Sequence, residues 1–571
     1  MTIHNAEIAG LFGRYATLLE IKGANPFRIR AYRNAARTIE SLPRDVSVML
    51  QEGYDLAELP GIGDDLADKI SNIIEREKFF ELEKIEKQMP AGLVDLTAIP
   101  GLGPKRVKTL FDKLKVRSSE DLAKAVRAGR LKGVRGFGPK FEQSILKALG
   151  HPAAEKRVSL AAAEHIAEPL IQYLKAIPGI ESVAAAGSYR RRRETVGDLD
   201  ILVTCQHPEP VVEHFAAYEE VSKTLARGTT KASVRLKSGL QVDLRVVPRR
   251  SAGAALVYFT GSKAHNIALR AIGRKRGLKF NEYGVFRGKR WLAGRTEAEV
   301  YAQVGLPYIP PELREAQGEF EAARAGHLPR LVAATDIKGD LHVHTEASDG
   351  DATIREMADA ARALGYAYIA ISDHVSRIGI VHGLDAKRLV RQMTEIDRLN
   401  AKLQGFRILK SAEVDIAPNG SLALDGGILA ELDVVTASVH AKFDLDAAAQ
   451  TERLIRAMDH TCVNIIGHPT GRLIGEREAY PLDMKRLLAA AKERGCFVEL
   501  NAQPTRLDLC DVHVRLAKDM GVRVGIATDA HSPATLAYMR YGIDQARRGW
   551  LEPDDVINTR PLSALLKLLE R

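Results

Sequence analysis

Two groups of side chains in this sequence have the types and spacing of working chemistry. The first is the run Gly187-Ser188-Tyr-Arg-Arg191-Arg-Arg-Glu-Thr-Val-Gly197-Asp198-Leu-Asp200. Two aspartates two residues apart on a strand project to the same face. Their oxygens can hold hard divalent cations there. A third carboxylate is available at Asp243, in the later run Gln241-Val-Asp243-Leu-Arg. Two cations held in this way can activate a hydroxyl and clamp a triphosphate. Gly187 and Ser188 lie just before a helix-like turn, where N–H and hydroxyl donors can cradle phosphates. Arg191 can add charge to the same oxygens.

The second group begins at His342-Val-His344, two histidines that share one side of a strand end and can chelate one metal. Asp349 follows closely. Further metal-binding types come at the ends of later strand-like runs: His374, Glu413, His440, His468, Asp529 and His531. In parallel βα architecture such positions gather on one rim. Nine nitrogen and oxygen donors suit up to three Mn²⁺ or Zn²⁺ ions, which lower the pKa of bound water and offset phosphoester charge. The isolated His382, His460 and His513 read as surface or packing residues.

The elements that must position these groups are legible in outline. Residues 1–150 carry helical periodicity in Ala, Leu, Lys, Arg and Glu. One motif recurs there three times, as Leu59-Pro-Gly61-Ile-Gly63, Ile99-Pro-Gly101-Leu-Gly103 and Val134-Arg-Gly136-Phe-Gly138. The glycines permit a tight turn, and N–H groups before the next helix can face a phosphate. Lys105 and Lys140 follow the second and third turns. Strand-like runs come next, at 183–186, 200–203, 233–236 and 241–246; residues 251–315 look mixed. From Ile337 onward, strands alternate with amphipathic helices, which argues for parallel βα units. The expected fold is multidomain. It has an α-helical N-terminal region, an α+β palm and thumb, and a C-terminal α/β barrel. The expected boundaries are 1–85, 86–155, 156–250, 251–315, a linker at 316–336, and 337–571.

Charge divides along the same line. Residues 337–571 hold 30 Lys and Arg against 33 Asp and Glu, out of 83 and 73 in the whole chain. The excess positive charge therefore lies entirely before residue 337, as binding to a phosphate backbone requires. Four scattered cysteines form no metal knuckle or disulfide framework. No apolar run approaches the roughly 18–20 residues of a membrane helix, and the N-terminus Met-Thr-Ile-His-Asn-Ala-Glu lacks the basic region and long apolar run of a signal peptide. The expected setting is the cytoplasm, with no membrane partner.

The Gly-Ser and Asp-x-Asp pattern resembles the polymerase beta-like nucleotidyltransferases. Tyr258-Phe259-Thr-Gly261-Ser-Lys-Ala-His-Asn266-Ile-Ala-Leu-Arg270 resembles the thumb segment of DNA polymerase beta. With these motifs the chain is identified as a bacterial-type member of the family X DNA polymerases. The resemblance implies catalytic Asp198, Asp200 and Asp243 with Mg²⁺ or Mn²⁺. It implies a nucleotide site at Gly187, Ser188, Arg191, Gly197, Gly261, Asn266 and Arg270, with Tyr258 and Phe259 shaping the sugar pocket. The three turns resemble helix-hairpin-helix DNA contacts, carried by Gly61, Gly63, Gly101, Gly103, Lys105, Gly136, Gly138 and Lys140. Arg28 and Tyr32 fall on the family's 5′-phosphate pocket, and Lys69 falls on the Schiff-base lysine of its deoxyribose-phosphate lyase. Asp65 departs from that pattern, since it replaces a lysine of the pocket. The nine C-terminal donors resemble the PHP (polymerase and histidinol phosphatase) domain. This implies manganese-dependent 3′-5′ exonuclease activity first; apurinic-site endonuclease and 3′-phosphatase are activities of some members. The substrates implied are deoxynucleoside triphosphates and gapped or nicked DNA bearing a 5′-phosphate, handled by a monomer. The rival reading is a phosphoesterase delivered to DNA by an inactive polymerase core.

Overall fold

The computed structural model describes residues 5–570 apart from 43–45, 60, 77, 98, 100–101, 132–133, 135–136, 138–156, 376–381 and 425. Gly101, Gly136, Gly138 and Lys140 lie outside the described residues. Packing divides the chain into two units. The first comprises Met1–Pro178, Gly197–Leu199 and Glu209–Leu244; the second comprises Gly179–Val196, Asp200–Pro208 and Arg245–Arg571.

The N-terminal part of the first unit is helical, as its periodicity predicts. Helices Asn5–Lys22 and Pro26–Ser41 pair around an aromatic cluster of Phe12, Tyr15, Tyr32 and Phe79. Pro26 stands at the first position of its helix, where its missing N–H costs nothing, and Asn25 caps the end by accepting from Phe27 N–H. The three repeats close the same turn. Ile62 N–H reaches Leu59 O, Leu102 reaches Ile99, and Phe137 reaches Val134, at 2.9–3.1 Å. The apolar residue between the glycines, Ile62, Leu102 or Phe137, is buried in each case, so each hairpin is pinned to the core, and the described Gly61, Gly63 and Gly103 are exposed.

One five-stranded sheet runs in the order Ile180–Ala185, Asp198–Cys205, Gln241–Val247, Lys231–Leu236, Val221–Arg227. Val221–Arg227, almost fully exposed, went unread in the sequence because it lacks the apolar alternation of a half-buried strand. The region 251–315 resolves into helices Ala252–Thr260, Lys263–Lys275 and Glu297–Ala302 with a small three-stranded antiparallel sheet. Residues 316–336, read in the sequence as a helix plus linker, contain the short helix Glu319–Ala325, whose Glu319 and Phe320 are buried.

Beyond residue 338 seven strands pair in parallel and in chain order: Gly339–Val343, Tyr368–Ile371, Arg407–Asp415, Val434–Ser438, Ile465–Ile466, Phe497–Asn501 and Val524–Ala527. An eighth short strand, His374–Val375, pairs with Arg407–Asp415. A parallel bridge from Val343 to Ala530, with His344 N–H on Ala530 O at 2.8 Å, joins the last strand to the first. The result is a nearly closed barrel. Its strands are buried along their whole length, as strands covered on both faces must be.

Candidate functional site: two acidic centres

In the strand Asp198–Cys205 the alternation is visible directly. Leu199 and Ile201 are buried, whereas Asp198 and Asp200 are partly exposed on the other side. Asp243 lies on the next strand of the sheet. It accepts from Ser233 Oγ and, at 3.0 Å, from Gln241 Nε2, so its carboxylate is held in one orientation.

Gly187 follows the strand Ile180–Ala185 with φ +61°, and a β-carbon there would strike the carboxylate of Asp200. Among the described residues, the buried Ser188 hydroxyl has no hydrogen-bond partner. A buried donor left over beside an aspartate pair is a fitting phosphate contact. Arg191 is differently engaged. Its guanidinium binds Glu315 at 3.0 Å and the carbonyl of Thr260, and only 14% of its side chain is exposed. In the thumb, Asn266 donates to Tyr258 O at 2.6 Å and Arg270 lies over the Tyr258 ring at 5.8 Å. Arg245 lies over Phe259 at 5.4 Å. Gly261 also has positive φ, with Arg191 Nη1 3.3 Å from where its β-carbon would be.

All nine donors anticipated in the C-terminal barrel converge at the C-terminal rim. They form three overlapping sets: His344, Asp349, His374 and His531; His342, His344 and Asp529; and His374, Glu413 and His440. His468 Nε2 lies 2.8 Å from Glu413 Oε1. The fit to cations is tested by the nitrogens. Among the described residues, His342 Nε2, both nitrogens of His344, His374 Nδ1 and His468 Nδ1 are buried with no hydrogen-bond partner. Several nonetheless crowd carboxylates, with His344 Nε2 at 3.0 Å from Asp529. Imidazole nitrogens and carboxylate oxygens gathered within 4.8 Å of one another in each set are what ligands of a shared ion present.

Electrostatics point the same way. Burial opposes charge at Glu413 and Asp529, yet the surrounding imidazoles hold both far below the usual carboxylate range. Burial likewise opposes charge on His531, but Asp349 and Asp529 push it up to about 9. His344 goes the other way: burial and the neighbouring His531 and His374 lower it. His468 and Asp529 also sit at positive φ, 25° and 52°. Such backbone costs about 1–3 kcal/mol per residue and is typical of functional sites.

A surrounding layer was missed from the sequence. Glu499 lies 2.6 Å from His342 Nδ1 and accepts His468 N–H at 2.6 Å. Asp415 lies 2.6 Å from His440 Nδ1. Asp373 accepts from Thr345, Ser348 and Gln392, and Asp340 accepts from Thr528. Partners of this kind fix ligand tautomers. Asp340 and Asp415 stand two residues from His342 and Glu413 on the same strands, so strand alternation alone could have found them.

The residues of the lyase-like patch also gather. Arg28 donates to Tyr15 Oη at 2.9 Å, and its charge is influenced by Tyr32 and Asp65. Tyr32 is buried in the aromatic cluster. Lys69 is ion-paired to Asp65, the departure noted above, and donates to Asp65 O at 3.2 Å. Burial would lower Lys69, but Asp65, Tyr32 and Glu81 together hold it above its ordinary value.

Comparison with known families and proteins agrees along the chain. The DNA polymerase beta palm matches residues 157–247 and the DNA polymerase beta thumb 255–315. A helix-hairpin-helix domain matches 3–79, a SAM-like helix-hairpin-helix tandem 93–150, and the PHP domain 340–503. The DNA polymerase/3′-5′ exonuclease PolX of Bacillus subtilis (strain 168) is 40% identical over 574 residues, covering 100% of both chains. A probable phosphatase of Thermoanaerobacter sp. (strain X514) is 32% identical over 233 residues, covering 38% of this chain and 89% of its own. DNA polymerase lambda of Arabidopsis thaliana is 26% identical over 347 residues, 54% of this chain and 62% of its own.

Proposed function

The chain belongs to the family X DNA polymerases that carry a PHP domain, enzymes with polymerase and 3′-5′ exonuclease activity, and from that premise we propose how its residues divide the work. The substrate is gapped or nicked DNA with a 5′-phosphate, met by a monomer in the cytoplasm. The helix-hairpin-helix turns hold its backbone through Gly61, Gly63, Gly103 and Lys105, and through Gly101, Gly136, Gly138 and Lys140 by sequence. Arg28 faces the 5′-phosphate, with Tyr32 in the core beneath it.

Asp198, Asp200 and Asp243 hold Mg²⁺ or Mn²⁺, which when bound activates the primer hydroxyl and neutralises the triphosphate. Ser188 Oγ and the turn at Gly187 and Gly197 take phosphate oxygens. Tyr258 and Phe259 pack the sugar; Gly261 gives the backbone its approach, and Asn266 and Arg270 lie towards the minor groove. Arg191 supports this turn through Glu315 and the carbonyl of Thr260.

In the barrel, His342, His344, Asp349, His374, Glu413, His440, His468, Asp529 and His531 hold Mn²⁺ or Zn²⁺, which when bound activates water and offsets phosphoester charge. Glu499 and Asp415 orient His342 and His440. The observation that carries this reading is the cluster of buried imidazole nitrogens that crowd carboxylates without hydrogen-bonding to them. It is tested on a one-nucleotide gapped duplex with labelled primer and Mn²⁺. Extension with the four deoxynucleotides and 3′ shortening without them support it; shortening alone favours a delivered nuclease.

A further inference from the structure

The turn between Ser188 and the aspartate pair contains four consecutive arginines and a glutamate, residues 190–194. On sequence grounds one of these arginines was expected at the triphosphate. Instead, every one of the five side chains has an acidic or basic partner within the second unit. Arg190 binds both oxygens of Glu297, at 2.8 and 2.6 Å. Arg191 binds Glu315.

The remaining partners come from the metal-binding barrel. Arg192, at φ +55°, donates to Asp544 at 2.6 Å. Glu194 accepts from Arg472 at 2.8 Å. Arg193 lies 3.8 Å from Asp511. Arg548 is the centre of this contact. Its side chain is 2% exposed, and it donates to the backbone carbonyl of Arg191 at 2.7 Å, to Glu315 at 3.1 Å and to Asp511 at 2.5 Å. Asp544 and Arg548 lie one turn apart on the helix Met539–Arg548. That helix therefore grips the turn at one side chain and one main-chain oxygen.

We propose that Arg548 and Asp544 are positioning residues of the polymerase reaction: the barrel holds the Ser188–Glu194 turn in its nucleotide-binding conformation. Desolvated charge-assisted bonds of this number and shortness are strong. They secure a backbone that would otherwise have to order around each incoming triphosphate. A turn ordered in advance spends less of the binding energy on its own ordering. The barrel thus serves two reactions, by different residues. The proposal rests on the reading that the Gly187–Ser188 turn binds the nucleotide.

The test uses the full-length enzyme on gapped duplex, with KM and kcat for the deoxynucleotide. Mn²⁺-dependent 3′ shortening without nucleotides is measured alongside. Asp544→Ala and Arg548→Ala are expected to raise KM about tenfold while kcat stays within about twofold. The exonuclease is expected to be unchanged in Asp544→Ala. Exchange of the pair, Arg192→Asp with Asp544→Arg, is expected to recover much of the lost KM, and Arg548→Lys to be milder than Arg548→Ala. Loss of both activities in parallel, with no recovery in the exchanged pair, overturns positioning in favour of general instability. Ser188→Ala is the internal reference. If it raises KM and the Asp544 and Arg548 variants do not, the proposal alone fails. If Ser188→Ala leaves KM unchanged, the nucleotide-turn reading fails and the proposal with it.

Discussion

The carboxylate of Asp200 occupies the space that a β-carbon on residue 187 would need. Gly187 is thus required twice, by that contact and by its φ of +61°. Gly187→Ala should displace Asp200 or flatten the turn. We expect kcat/KM for nucleotide addition to fall by about 10²-fold, a loss of roughly 2.7 kcal/mol of transition-state stabilisation. The Mn²⁺-dependent shortening of a 3′ end, measured on the same preparation, should not change.

The two centres share no ligand, so each should fail alone. Asp198→Ala is expected to reduce primer extension by more than about 10³-fold, as loss of a group acting in the transition state does. It should leave 3′ shortening intact. His344→Ala, which removes a ligand common to two of the three donor sets, should do the reverse. A gel assay with labelled primer reads both, and loss of both activities in either variant would contradict two independent centres.

Glu499 supports two ligands at once, through the ring of His342 and the backbone of His468. Glu499→Gln keeps the shape but loses the charge that favours a proton on His342 Nδ1, leaving Nε2 less basic. Affinity for Mn²⁺, followed by titration against a chelating indicator, should drop about 10–100-fold, the usual effect of such outer partners. Removing metal with a chelator should abolish 3′ shortening in the parent enzyme, and added Mn²⁺ should restore it.

Lys69 bears on the lyase activity. A Schiff base requires a neutral amine, and Lys69 is held above its ordinary value of 10.5. The sign is unfavourable at neutral pH: a raised pKa shrinks the neutral fraction. Borohydride trapping of the protein on DNA bearing a 5′-deoxyribose phosphate should therefore be weak at pH 7. It should rise by about tenfold per pH unit well below the pKa. Asp65→Ala removes the ion pair, leaves burial less opposed and should increase trapping at pH 7. Equal trapping by Asp65→Ala and the parent would show that Asp65 does not control this lysine.

How far the sequence could be read depended on whether a residue's role is local. Most of the nine barrel residues could be picked out because they stand at or just beyond a strand end, as His342, His344, His440, His468 and Asp529 do, whereas Asp349 lies in the turn that follows its strand. The aspartate pair was recognisable for the same reason. Glu499 was not, because its importance arises from two histidines that are distant in sequence. Arg191 shows the opposite difficulty. A row of arginines beside a Gly-Ser turn looks like an anion site, but acidic residues from the thumb and barrel pair with it. The strand Val221–Arg227 was hidden because its side chains face solvent along almost its whole length.

The bridge from Val343 to Ala530 also has a consequence for biosynthesis. All polymerase motifs leave the ribosome well before the strand that closes the barrel, and Asp529 and His531 arrive only with it. A nascent or truncated chain that stops before residue 529 thus contains the complete palm but no means of removing a 3′ nucleotide. It also lacks the helix Met539–Arg548, whose Asp544 and Arg548 contact the Ser188–Glu194 turn. If the helix holds that turn as proposed, premature termination would release an enzyme impaired in synthesis as well as in trimming, rather than a polymerase freed of its exonuclease.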